Sequence, residues 1–226
     1  GLLATYAVLE EDSVVHVPEF LTDAEAASLN CAGVTAWHAL TRPVRTAAGD
    51  QVLVVGSGSV ALFGVQFAKA LGARVIAVTS SEEKAARLRA LGAAEVVDRT
   101  VTPDWEAAVL ELTGGDGVAQ VLDAVGPATL PKSLAAAAYN AQITMVGAFP
   151  ADSVEPDADP LRGAFASVRR IAVGSRADFE AMNAFLTEHR IRPAVDRVFP
   201  VSEAVDAYRY FRDAGPFGKV VIELPS

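Results

Sequence analysis

The 226 residues contain one cysteine, Cys31, so neither a disulfide within the chain nor an all-cysteine metal site can form. That scarcity suits a reducing cytoplasm, the expected compartment. Positive charge is also in deficit: 19 Lys and Arg stand against 28 Asp and Glu, a formal net charge of −9. Nucleic acid and anionic membrane surfaces are therefore poor general partners, although a local basic pocket for a phosphate is compatible with the balance. No apolar run is long enough to span a bilayer, and no charged-then-apolar leader is visible. There is no initiating methionine. Gly1 leads at once into strand-like Thr5–Leu9, so the chain reads like the middle of a longer protein. Hydrophobic residues make up 51%, ample for a sizeable core in one large domain or two small ones.

The rest is organised around Gly56-Ser57-Gly58-Ser59-Val60-Ala61. Before it runs Val52-Leu53-Val54-Val55, a β-branched apolar run of buried-strand type; after it, Val60, Phe63, Phe67 and Leu71 recur at helical spacing. Glycines at a strand-to-helix turn make an anion site, because free backbone N–H groups and the helix dipole point at whatever lies there. Gly56 makes the tight turn, Gly58 lets a pyrophosphate approach the backbone, and Ala61 allows close helix–strand packing. Alone, Gly-x-Gly-x-x-Ala is a weak signal, and an ordinary glycine turn is the plain alternative. The strand–turn–helix context favours a dinucleotide site.

Taken in order, Thr5–Leu9 and Val14–Val17 read as extended, and Thr22 with Glu25 as a capping box opening a helix that continues toward His38. Pro43 breaks that region. Strands are expected at 51–55, 74–78, 95–97, 118–125, 142–147, 168–173, 195–199 and 218–224. Helices are expected from Val60, from the Ser80–Glu83 cap to Leu91, and at 104–112, 128–138, 176–189 and 202–212. The alternation implies right-handed crossovers and a doubly wound parallel sheet with helices on both faces, an α/β Rossmann architecture. Residues 150–162, rich in Pro and Asp, are expected to form a mobile surface loop.

The assembled pattern resembles the medium-chain dehydrogenase/reductase superfamily, which includes zinc alcohol dehydrogenases and quinone oxidoreductases. The resemblance is carried by Cys31-Ala32-Gly33-Val34-Thr35-Ala36-Trp37, the first βα unit from Val52 to Gly72, Gly92–Val97, Leu122–Gly126 with Val146-Gly147, Arg190–Val201 and Phe217–Ile222. It implies that residues 1–30 are the tail of a GroES-like substrate domain, 31–199 the dinucleotide-binding Rossmann domain, and 200–226 a segment returning to the substrate domain. Most of that GroES-like domain, and the Gly-His-Glu stretch that supplies a zinc ligand in metal-dependent members, is not in this sequence. The implied activity is NADP(H)-dependent oxidoreduction, with hydride passing between nicotinamide and a carbonyl, alcohol, enone or quinone substrate. A non-enzymatic nucleotide-binding or dimerisation module is the other reading. The catalytic acid is unknown, and a homodimer paired through the sixth strand is implied.

The cofactor residues follow from the turn and from this resemblance. Gly56, Ser57, Gly58, Ser59 and Val60 face the pyrophosphate. The second strand ends in Thr79, Ser80 and Ser81, with no Asp or Glu at the place where NAD-binding members hold the ribose 2′-hydroxyl. Lys84 matches a phosphate-binding lysine of NADP-dependent relatives, and Arg99 stands where they often carry tyrosine, so NADP is expected over NAD. Val125, Gly126, Val146 and Gly147 lie at carboxyl ends of strands, followed by Val173, Gly174 and Ser175 on the sixth. Thr35 matches a position near the nicotinamide, though its hydroxyl could equally bond its own helix. Lys219 matches a diphosphate-contacting residue. His38 reads as a surface histidine rather than a proton relay. Cys31 aligns with a zinc ligand, but zinc needs three protein ligands, and neither His16 nor His38 has the spacing to join it. No metal is expected in this chain.

Overall fold

The computed structural model describes residues 3–148 and 163–225; the expected loop at 150–162 lies outside them. Its centre is a six-stranded parallel sheet in the order β3-β2-β1-β4-β5-β6. The strands are β1 (Gln51–Val55), β2 (Arg74–Thr79), β3 (Glu95–Asp98), β4 (Val118–Asp123), β5 (Ala137–Met145) and β6 (Ser167–Arg170). The strand order reverses between β1 and β4, which is where an open α/β sheet forms its ligand crevice. The Rossmann architecture expected from the alternation is present.

Helices cover both faces. One carries α2 (Val34–Thr41), α3 (Ser59–Ala70) and α7 (Arg176–His189). There Trp37, Phe63, Phe67, Met182 and Phe185 pack over Val52, Val54 and Leu122. The other carries α5 (Trp105–Leu112) and α6 (Leu130–Ala135), burying Trp105, Val109 and Leu134 against Leu53, Ile76 and Ile143. Alternate residues of β1 enter opposite cores, as a strand buried on both faces requires. α4 (Glu82–Leu91) joins β2 to β3 and ends on Gly92, whose φ of 116° is a left-handed cap that glycine adopts without strain.

α1 (Asp23–Ala26) opens on the expected capping box: Thr22 accepts from the Glu25 N–H and Glu25 from the Thr22 N–H. A π-helical turn, Leu29–Gly33, then feeds α2, so the expected helix toward His38 comes in three pieces. Beyond the main sheet, β7 (Val195–Pro200) and β8 (Lys219–Glu223) pair in parallel beneath α8 (Ala204–Asp213).

Several boundaries differ from the sequence reading. Thr5–Leu9 and Val14–Val17 form no strand, since no described segment pairs with them; Tyr6 and Val8 are exposed. α6 ends at Ala135, and the alanines after it begin β5, which passes through Asn140 at φ 63°. β4 stops at Asp123 and β6 at Arg170, so Val125 and Val173 sit on loops past the strand ends. The cap of α4 is Ser81, which accepts from the Lys84 N–H; the Ser80–Glu83 box is not formed.

Candidate functional site

The turn after β1 holds Gly56 at φ 107°, a conformation that favours glycine, with its α-carbon facing Val125 and Ala124. Gly58 is the N-cap of α3 and supplies no side-chain acceptor, so the first-turn N–H groups of a 12-residue helix are uncapped. A Cβ built on Gly58 meets nothing within 4 Å among the described residues, which leave the space in front of these N–H groups open. Ser59 turns its hydroxyl to the Gly218 carbonyl at 3.2 Å, which brings the residue before β8 against the turn. Ala61 is fully buried in the helix–sheet core, and Gly64 also makes a close helix–strand contact. A Cβ on Gly64 would run into the Leu122 side chain, a glycine role that the fingerprint spacing does not flag.

At the end of β2, Thr79 is 2% exposed and its buried hydroxyl has no hydrogen-bond partner among the described residues. Ser80 and Lys84 are half-buried beside it in the chain, and Arg99 follows β3, donating its backbone N–H to the Thr79 carbonyl at 2.9 Å. Glu82 is exposed and accepts from Arg89 at 2.9 Å along its own helix. Across the reversal point, the ends of β4 and β5 meet backbone to backbone. A Cβ on Gly126 would come within 2.5 Å of the Gly147 carbonyl oxygen, and one on Gly147 would strike the Val125 carbonyl. Only glycines permit this approach, which packs Val125, Gly126, Val146 and Gly147 into one ledge.

Three further residues are engaged by hydrogen bonds within the protein, Thr35 buried, His38 half-buried and Ser175 exposed. Thr35 is 1% exposed and donates to the Cys31 carbonyl at 2.6 Å, with the Ala172 carbonyl at 3.3 Å, so its own helix satisfies the hydroxyl. Ser175 caps α7: its hydroxyl stands 2.7 Å from Asp178 Oδ2 and accepts from the Asp178 N–H. His38 is not the surface histidine expected from sequence. Its Nδ1 lies 3.1 Å from Asp178 Oδ2, its Nε2 lies 3.5 Å from Arg169, and Arg42 donates to Asp178 Oδ1 at 3.3 Å. Burial opposes ionisation of Asp178. The Ser175 backbone and hydroxyl, His38 and Arg42 outweigh that opposition and hold the carboxyl far below its usual range. Sequence reading missed this cluster because Asp178 is 140 residues from His38.

A family model for zinc-binding dehydrogenases matches residues 59–188, more than half of the chain. The chain belongs to that family. Among its relatives is a zinc-type alcohol dehydrogenase-like protein of Schizosaccharomyces pombe, 36% identical over 230 residues, covering 99% of this chain and 66% of the relative. Among solved structures, an NAD-dependent alcohol dehydrogenase superposes with a TM-score of 0.90 at 32% identity, covering all of this chain and 66% of that one. A mycobacterial protein solved in complex with NADPH gives 0.77 at 31% identity, covering 91% and 66%. The chain thus spans about two thirds of the length of each of these proteins. The zinc of the family name is a separate matter. Cys31 is exposed on the π-helical turn, and among the described residues no group of three His, Cys, Asp or Glu side chains stands together to hold a metal ion. These donors do not fit zinc. The open cradle over Gly58 and the unpartnered Thr79 hydroxyl do fit a dinucleotide.

Proposed function

We propose that this chain is the nucleotide-binding part of an oxidoreductase that uses NADP(H) to reduce or oxidise a small carbonyl, alcohol, enone or quinone. The observation that carries the reading is the uncapped, unobstructed N-terminus of α3 at the point where the strand order reverses. When bound, the nicotinamide supplies hydride donation and acceptance. The chain's residues bind and orient. The N–H groups of Ser57, Gly58, Ser59 and Val60 hold the pyrophosphate, with Lys219 adding charge from the start of β8, next to the Gly218 that meets Ser59. Thr79, Ser80, Lys84 and Arg99 take the adenosine ribose and its 2′-phosphate. The ledge of Val125, Gly126, Val146 and Gly147, together with Val173, excludes water from the other half. Thr35 and Ser175, whose hydroxyls are engaged, contribute shape rather than donors.

Membership of the zinc-binding dehydrogenases and the NADPH in one related structure support this reading. The choice of NADP over NAD rests on the lack of an acid at Thr79–Ser81 and on Glu82 being held by Arg89. The domain division follows the same reading: 31–199 binds nucleotide, while 1–30 and 200–226 belong with a GroES-like substrate domain. Exposed apolar side chains in both outer segments, Tyr6 and Val8 in one and Val205, Tyr208 and Phe211 in the other, support it.

Calorimetric titration of NADPH and NADH into wild type and Lys84→Ala tests the assignment. One charge-assisted contact to the phosphate gives NADPH an advantage of about tenfold or more, which Lys84→Ala removes while leaving NADH unchanged. Equal affinities in the wild type, or tighter NADH, would refute the phosphate pocket.

A further inference from the structure

Asp123, the last residue of β4, is fully buried, and no described cation pairs with it. Its carboxyl gathers the loop that follows. Oδ1 accepts from the N–H groups of Val125 at 3.0 Å and Gly126 at 2.9 Å. The Thr129 hydroxyl lies 2.8 Å from both carboxyl oxygens, and the Ser133 hydroxyl donates to Oδ2 at 2.8 Å. Its backbone carbonyl accepts from Val146 at 2.8 Å and Gly147 at 3.2 Å. One residue therefore fixes both halves of the β4–β5 ledge, and side-chain and main-chain bonds pull the two loops into the glycine-only contact described above. A loop with two backbone N–H groups held by a buried acceptor has few other conformations, because releasing them leaves buried polar groups unsatisfied.

We propose that Asp123 is a positioning residue for the half of the dinucleotide that lies over β4 and β5, acting through the Val125–Gly126 backbone; this rests on the nucleotide reading above. The adenosine half belongs to the end of β2, on the other side of β1. Asp123 reaches none of Thr79, Ser80 or Lys84, so its effect is confined to one half of the ligand. A purely structural role would weaken both halves together.

The test uses the whole chain and two probes, NADPH and adenosine 2′,5′-bisphosphate, the latter carrying only the adenosine half. Asp123→Ala should weaken NADPH by about tenfold while changing the fragment by less than about twofold. Asp123→Asn should stay near wild type on both: its amide oxygen can accept from Val125 and Gly126, and its NH₂ can donate to hydroxyls that rotate to accept. Val109→Ala, a cavity in the same core layer away from the ledge, controls for lost stability. It should lower the thermal midpoint without separating the two probes. If Asp123→Ala does not fold, Thr129→Val removes the hydroxyl that holds both carboxyl oxygens and should show the same selectivity at about threefold. Equal losses on both probes, or none on either, overturn the positioning role. No binding of either probe to the wild-type chain would instead overturn the nucleotide reading.

Discussion

Gly58 separates stability from function more sharply than any other residue in the turn. Its φ of −79° and ψ of 174° suit any amino acid, and a side chain there meets only open space. It is also the N-cap of α3, where Asp is preferred and Gly is a few tenths of a kcal/mol poorer. Gly58→Asp is therefore expected to leave the unliganded thermal midpoint unchanged or slightly raised. In calorimetry it should lower dinucleotide affinity by about 100-fold or more, because the carboxylate occupies the cradle and repels the pyrophosphate. Unchanged affinity would mean that the ligand does not cross this turn. The importance of Gly58 is legible in sequence because a strand period gives way to a helix period across it. Gly64 and Asp123 are not legible in the same way. What makes them special is a contact outside their own element, Leu122 on β4 for Gly64 and the loop past the strand end for Asp123, and periodicity says nothing about what an element packs against.

Among the elements, α7 depends most on a single acid. Asp178 closes the capping box with Ser175 and also anchors His38 and Arg42 from α2, so one carboxyl secures a helix start and the α2–α7 contact. Its pKa is lowered in the folded state. The stabilisation is therefore fully present above the ordinary carboxyl range near pH 4 and is lost as pH falls below that range toward the folded value. Asp178→Ala should cost about 1–2 kcal/mol at pH 7, since it removes the N3 half of the capping box and the partner of His38 and Arg42, and should flatten the acid limb of the thermal midpoint measured from pH 5 to pH 3. A variant with the wild-type acid limb would show that the depression comes from elsewhere. The elements themselves were largely readable: α3, α4, α5 and α7 carry caps or glycine stops within a residue or two of their expected ends. The alanines around Ala135–Ala138 were not, because alanine suits a helix and its β-disfavour is weak enough for the β4 neighbour to decide. Nor were the first twenty residues, whose alternation has the period of a strand but no described partner to pair with.

At the scale of the whole molecule, the sheet has two edge strands, the short β3 and β6. Among the described residues β6 hydrogen-bonds only to β5, leaving a second row of backbone groups at the edge beside the half-buried Val168. Proteins cover such edges. A second copy adding its own β6 would cover this one, and light scattering is expected to give twice the 23.6 kDa chain mass. A monomer at high protein concentration would remove that reading.

The Ser59–Gly218 hydrogen bond spans 159 residues. In a chain emerging from the ribosome, the first βα unit leaves the exit tunnel long before the residue that completes its glycine turn. Domains assemble as their sequence becomes available. Nascent chains stalled short of Phe217 would thus carry a finished-looking sheet in which the Ser59 hydroxyl has no Gly218 carbonyl to meet.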